Sequence, residues 1–178
     1  MTNNRLIKNL TTAGVIAGLY VAFTFVSYSF GLSGNVIQLR LSEALCILPY
    51  FTVTAIPGLF VGCVLSNILT GCALFDIIIG SLATLIGAAG TYWISHIKIK
   101  KDNTGIRRKS AFIKLISTLP PILSNSLLLP PVLSYIYGAT QAMPVIMLTI
   151  FIEESICIGL LGFLLLKGLE KYQHILFE

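Results

Sequence analysis

The sequence predicts an all-α membrane protein, a single domain of six transmembrane helices spanning residues 1–178. Three observations predict it. The chain is 56% hydrophobic and only 11% charged, with a mean hydropathy of +0.90, whereas about a quarter of the residues in an ordinary soluble domain are charged. Its apolar runs reach the roughly 20 residues that a helix needs to cross the hydrocarbon core. Its lysines and arginines are also segregated along the chain in a way that supports six crossings.

Residues 1–10 are polar and carry Arg5 and Lys8. Thr11 to Phe30 follow without a charge, about 30 Å of helix. A basic start before an apolar run also suits a signal peptide, but this run is long for one and the chain beyond it is itself membranous. It therefore reads as an uncleaved first helix, over about 11–30. Ala13 and Ala17, like Gly14 and Gly18, have the four-residue spacing of small side chains that lets helix backbones approach closely. On spacing alone that seam reads as packing within the same protein.

Gly31 to Asn35 is a turn-rich loop. A second helix over about 41–54 follows, opened by Arg40 and Glu43, whose spacing lets them pair on one face. Pro57 suits the start of a third helix, over 57–69, because its missing N–H would be unsatisfied there in any case. Asp76 lies in the first turn of a fourth helix, over 75–95, where a carboxylate meets the helix dipole favourably. The one long polar loop carries Lys98, Lys100, Lys101, Arg107, Arg108 and Lys109. A fifth helix, over 111–133, contains Pro120-Pro121 and Pro130-Pro131, which kink it and free carbonyls that neighbours must satisfy. A sixth, over 144–169, ends before a polar tail.

Six crossings put both termini and the loop between helices four and five on one side. Eleven of the 12 basic residues then fall on that side, and only Arg40 lies opposite. The asymmetry predicts a multi-pass protein of the cell membrane with cytoplasmic termini.

The other polar side chains sort by depth. Arg40, Glu43, Asn67, Asp76 and Gln141 fall at the outer ends of helices or in an outer loop. Asn125 lies midway along helix five, and Glu153 and Glu154 lie about 15 Å into helix six. Ionisable groups at membrane depth usually face a bundle interior or cavity, so their convergence predicts a polar pocket opening outward. Individually each has a plainer reading. Arg40 with Glu43 makes an interfacial ion pair, Asp76 a helix cap, and Asn67 and Asn125 interhelical hydrogen bonds. Glu153 and Glu154 point about 100° apart on a helix, which predicts that only one of them meets a ligand.

Catalysis is not indicated. His96 and His174 sit at the cytoplasmic ends, away from every carboxylate named above, and no GxxxxGK[ST] phosphate loop is present. Cys46, Cys63, Cys72 and Cys157 lack metal-site spacing and read as small apolar packing residues. No cofactor or metal is expected. A pocket without catalytic groups predicts binding and transport, not an enzyme.

Several motifs then resemble one family. Gln38-Leu39-Arg40-Leu41-Ser42-Glu43-Ala44-Leu45, Gly58-Leu59-Phe60-Val61-Gly62-Cys63 with Asn67, and Asp76-Ile77-Ile78-Ile79-Gly80-Ser81-Leu82-Ala83-Thr84-Leu85 are similar to those of the QueT family. These proteins are the substrate-binding S components of energy-coupling factor (ECF) transporters for queuosine precursors. The likeness is close over the first half of the chain and extends to Glu153-Glu154 in the second. It implies a six-helix S component that captures queuine or the aminomethyl pre-queuosine base from outside. It also implies docking on the EcfT coupling subunit, driven by two ATPases, through an AxxxA motif carried here by Ala13 and Ala17; that overrides the internal-packing reading of the seam.

For such a 7-deazaguanine, Glu153 or Glu154 would accept the N–H groups of the guanine-like edge, and Asn67, Asn125 or Gln141 would serve its carbonyl. Asp76 or Glu43 would meet the cationic amine, Arg40 would organise these charges, and Tyr135, Tyr137 or Phe151 would stack on the ring. The competing readings are an S component for another vitamin and a self-sufficient secondary carrier.

Overall fold

The computed structural model describes residues 2–32, 39–97, 111–138 and 140–173. Gln38, the whole basic loop at 98–109 and His174 lie outside the described residues. Among those described there is no strand. Four helical stretches, Asn4–Ser29, Leu74–His96, Phe112–Tyr135 and Met143–Glu170, are long and apolar enough to cross a membrane, and two shorter apolar helices, Leu41–Tyr50 and Ala55–Leu69, accompany them. This is a multi-pass, all-helical membrane protein.

Helix α1 (Thr2–Ser29) starts well before the apolar run does. The Thr11 and Thr12 hydroxyls bond back to the carbonyls of Ile7 and Lys8, so these residues stay within the helix rather than interrupting it. Helix α1 packs along α2 (Ala55–Leu69) through a seam of small residues. A Cβ added at Gly58 would lie 2.8 Å from the Ala13 carbonyl oxygen, and one at Gly62 would lie 3.1 Å from the Ala17 Cα. The backbones meet closely because neither glycine carries a side chain.

Between α1 and α2, Leu41–Tyr50 forms a 3-10 helix in place of the predicted α-helix to residue 54. Pro49 removes one backbone donor. Every residue from Ser42 to Tyr50 is buried, so the segment is enclosed on all sides, where the tighter three-residue turn fits. Runs of 3-10 helix this long are uncommon, and α1 holds this one in place. The Ser27 Oγ accepts from the Leu41 N–H at 2.8 Å, the Thr24 hydroxyl donates to Ser42 Oγ at 2.9 Å, and the Tyr20 hydroxyl donates to Glu43 Oε1. Residues 20, 24 and 27 share one helix face, so a single stripe of α1 binds three consecutive residues.

Helix α3 (Leu74–His96) crosses α5 (Leu119–Tyr135) closely. The predicted single fifth helix is broken: α4 (Ala111–Ile116) ends, and Pro120 and Pro121 open α5 after Ser117 and Thr118. Pro121 has no N–H to give the Ser117 carbonyl four residues back. The Thr91 hydroxyl of α3 donates to that carbonyl at 2.9 Å instead. Gly87 and Gly90 admit the two proline rings, since a Cβ at Gly87 would come within 2.5 Å of the Pro121 Cα.

The last apolar run comprises α6 (Met143–Glu154), a π-helical stretch (Ser155–Gly162) and α7 (Phe163–Glu170). Lys114 of α4 pairs with Glu170 of α7 at 2.6 Å. The main apolar core joins Ile16 and Tyr20 to Leu45, Leu48, Leu59, Ile122 and Ile158.

Candidate functional site

Above that core lies a cavity whose wall is drawn from five segments. Arg40 precedes the 3-10 helix and Glu43 lies within it. Cys63 comes from α2, and α3 supplies Asp76, Gly80 and Thr84. Asn125, Leu129 and Leu133 come from α5, and Ile150, Glu153 and Glu154 from α6. Its open space is about 30 Å³, room for about two waters. The cavity is thus small, with one arginine and four carboxylates around it.

Glu43 is its most connected member. Its Oε1 accepts from the Tyr20 hydroxyl, and its Oε2 accepts from the Cys46 thiol at 3.2 Å and from Asn125 Nδ2 at 3.4 Å. The same Asn125 nitrogen donates to Glu154 Oε1 at 2.6 Å. One amide therefore bridges two buried carboxyl groups on different elements. Arg40 reaches across to α2, its guanidinium donating to Asn67 Oδ1 at 2.9 Å, and Asn67 donates on to Cys63 Sγ at 3.6 Å.

Asp76, buried near the start of α3, accepts from the Tyr137 hydroxyl at 3.1 Å. That hydroxyl in turn accepts from the Ala73 N–H at 3.0 Å. Burial, with the nearby Asp76 charge, pushes the Tyr137 hydroxyl up to about 12. It is a protonated tether between the segment after α5 and the start of α3.

A family model described as "QueT transporter" matches residues 10–171. The chain belongs to the QueT transporter family. The family is one of transporters, and the chain is accordingly not an enzyme. Similarity to a curated protein agrees: the "Queuosine precursor transporter QueT" of Lactococcus lactis subsp. cremoris (strain MG1363) is 33% identical over 78 residues, which are 44% of this chain and 46% of that protein. The match thus spans just under half the length of that relative. No solved structure matches.

In this QueT-family chain, Arg40, Glu43, Asp76, Asn125, Glu153 and Glu154 stand together at the cavity, with Asn67 one contact behind Arg40. Both adjacent glutamates line it, despite the roughly 100° between them on the helix. Ile150, Glu153, Glu154 and Cys157 fall on one broad buried face of this helical run, and the cavity is flanked on that face.

Four other expected residues are not brought to the cavity wall. Tyr135 is 83% exposed at the end of α5, Phe151 lies off the buried face of α6, and Gln141 is exposed ahead of α6. Tyr137 uses its hydroxyl on Asp76 rather than its ring on the cavity. The apolar wall is aliphatic instead, formed by Leu129, Leu133 and Ile150. Ala17 is buried against Gly62 and Ala13 is half-buried beside Gly58, as the spacing alone had suggested. The small residues of α1 that face outward are Gly14 and Gly18.

Sequence reasoning missed Tyr20, Cys46, Cys63 and Thr84. The signal for Tyr20 was a hydroxyl three residues beyond Ala17 on the inward seam. The two cysteines, read as apolar filler, bond within the polar cluster: Cys46 donates to Glu43, and Cys63 accepts from the Thr84 hydroxyl at 3.4 Å.

Proposed function

We propose that this chain is the substrate-binding S component of an ECF-type transporter and captures a queuosine precursor, queuine or the aminomethyl pre-queuosine base. Six membrane crossings with cytoplasmic termini, an EcfT-type coupling subunit and two ATPases belong to the same reading. The observation that carries it is the cavity itself: five ionisable side chains gathered in an apolar, membrane-crossing chain of a queuosine-precursor transporter family. Such groups are costly at membrane depth unless they serve a ligand or a pathway.

The chemistry suits a 7-deazaguanine bearing an amine. Glu153 or Glu154 would accept from the ring and exocyclic N–H groups, Asn125 or Asn67 would donate to the carbonyl, and Asp76 or Glu43 would meet the ammonium. Leu129, Leu133 and Ile150 would bound the flat ring. With space for only about two waters now present, the ligand enters by widening the cavity.

Docking on the coupling subunit would use α1. Ala17 is already occupied by α2, so the surface α1 offers is Gly14 and Gly18, with Ala13 at its rim.

The test is a thermal-shift and binding panel on purified protein with queuine, the aminomethyl base, riboflavin, thiamin and biotin. Stabilisation by a deazaguanine alone supports the reading; stabilisation by another vitamin replaces it. Glu43→Gln, Asp76→Asn, Glu153→Gln and Glu154→Gln are each expected to weaken binding, and unchanged affinity in all four would sink the pocket assignment. Gly14→Trp and Gly18→Trp, placed in open space, should abolish uptake and spare binding. Uptake by vesicles lacking coupling subunits and ATP would identify a secondary carrier instead.

A further inference from the structure

The two carboxyl groups bridged by Asn125 are not equivalent. Three donors converge on the two oxygens of Glu43: the Tyr20 hydroxyl, the Cys46 thiol and the Asn125 amide. An ionised carboxylate is purely an acceptor, and this arrangement suits one. Among the described residues Glu154 has one donor, Asn125, on Oε1, while its buried Oε2 has no hydrogen-bond partner among them. The residue is 8% exposed and lines the cavity. An ionised oxygen without a protein donor inside a membrane protein is more costly than a neutral one. Two carboxylates on one amide nitrogen also repel, and such a pair keeps a proton on one member.

The surroundings do not offset two charges here. The charged groups facing Glu154 across the cavity are Arg40, Glu43, Asp76 and Glu153, one cation against three further carboxylates. The remaining titratable neighbours are Tyr20 of α1, Cys46 of the 3-10 helix, Cys63 of α2 and Cys157 of the π-helical stretch. They act here as neutral donors or acceptors and bring no positive charge.

We propose that Glu154 holds a proton in the small cavity and gives it up when the cationic group of a ligand enters, so that Glu154, rather than Asp76 or Glu43, meets the ammonium and selects an ammonium-bearing ligand over a neutral one, leaving Glu153 to accept from the guanine-like edge. The exchange balances: a carboxylic acid and an ammonium ion become a carboxylate–ammonium pair, and the carboxyl proton leaves to bulk water. No bond of the ligand changes. The ligand half of this inference rests on the proposed function; the position of the proton rests on the geometry alone.

Two measurements on the full chain test it. Infrared spectroscopy of the ligand-free protein should show the carbonyl stretch of a buried protonated carboxyl, lost in Glu154→Gln and retained in Glu153→Gln. Gln mimics the neutral acid in shape, so Glu154→Gln should fold as the parent does. Titration calorimetry with the aminomethyl base, in two buffers of different ionisation enthalpy at one pH, should report release of one proton per ligand. The same base carrying a nitrile in place of the amine should bind without release. In Glu154→Gln, release should vanish and the preference for the amine over the nitrile should fall at least tenfold.

Absence of the carboxyl band, or its survival in Glu154→Gln, overturns the assignment of the proton. A band that is present while the amine binds without proton release overturns the exchange. Failure of every deazaguanine to bind overturns the proposed function and the exchange with it, while the band still decides where the proton sits.

Discussion

Replacing Tyr20 with Phe removes one oxygen from a fully buried side chain of α1 and should be felt at the cavity. Tyr20 is 0% exposed, and its hydroxyl is the donor to Glu43 Oε1. The ring stays, so packing against Gly62 is preserved and the loss is that of one hydrogen bond. Bonds to charged groups are worth about 1.5–3 kcal/mol, and a buried acceptor left bare incurs its desolvation cost as well. For a chain of this size each kcal/mol moves the midpoint by about 2–4 °C, so Tyr20→Phe should melt about 3–12 °C lower. If Glu43 meets the ligand, affinity should fall by about ten- to a hundredfold at about 1.4 kcal/mol per decade. The assay is thermal denaturation in detergent with ligand titration, using Tyr135→Phe, at the exposed end of α5, as the silent control. A cycle with Glu43→Gln isolates the contact, since Tyr20→Phe should cost little once the carboxylate is gone. If the two substitutions add within about 0.5 kcal/mol, the two side chains do not interact and the account of α1 as the anchor of Glu43 is refuted.

Gly87→Ala drives a methyl to within 2.5 Å of the Pro121 Cα; forced overpacking of that kind costs about 1–3 kcal/mol, read as lowered melting temperature and yield. Thr91→Val keeps the side-chain volume and removes the donor to the Ser117 carbonyl, at about 1–3 kcal/mol for a buried acceptor left bare, whereas Thr91→Ser should retain most of the stability. Tyr137→Phe cuts the tether to Asp76 and the Ala73 amide. Because the Tyr137 hydroxyl is raised from about 10 to about 12, its contribution is complete below pH 10 and is lost as pH rises towards 12. The deficit of Tyr137→Phe should therefore be equal at pH 6 and pH 9 and shrink only in stronger alkali; a step near neutrality would refute the tether.

The apolar runs made the helices legible because crossing a bilayer leaves little freedom in length or composition. Convergence of Arg40, Glu43, Asp76, Asn125, Glu153 and Glu154 was legible for the same reason, since ionisable groups have few places to go in such a chain. What the sequence concealed lay in tertiary packing. Leu41–Tyr50 reads as an α-helix by pattern and becomes a 3-10 helix because Tyr20, Thr24 and Ser27 fix its first three residues and its surroundings enclose it. The break before Pro120 depends on Thr91, some 30 residues away, to satisfy the freed carbonyl. Tyr135, Tyr137 and Phe151 were chosen for ring chemistry and position along the chain, neither of which specifies a helix face. Cys46 and Cys63 were read by composition, which does not reveal that a thiol sits beside a carboxylate.

The same contacts decide which wall can yield when a ligand arrives. Glu43 sits on a segment tied to α1 at three successive residues, and α1 is seated on α2 through glycine contacts that leave no slack. The opposite wall is held differently. Leu129, Leu133 and Ile150 meet across α5 and α6 through side chains alone, and their dispersion contacts are individually small. Pro130 and Pro131, inside α5 beside those leucines, remove two backbone hydrogen bonds from that stretch of helix. On the proposed function, a cavity with room for about two waters would admit a bicyclic base by separation of α5 from α6, while Glu43 stays fixed. Asn125 spans the two walls, bonding Glu43 on one and Glu154 on the other. Separating α5 from α6 breaks the Asn125–Glu154 half of that bridge, so on the same proposal the amide that joins the two carboxyl groups is the latch a ligand would release.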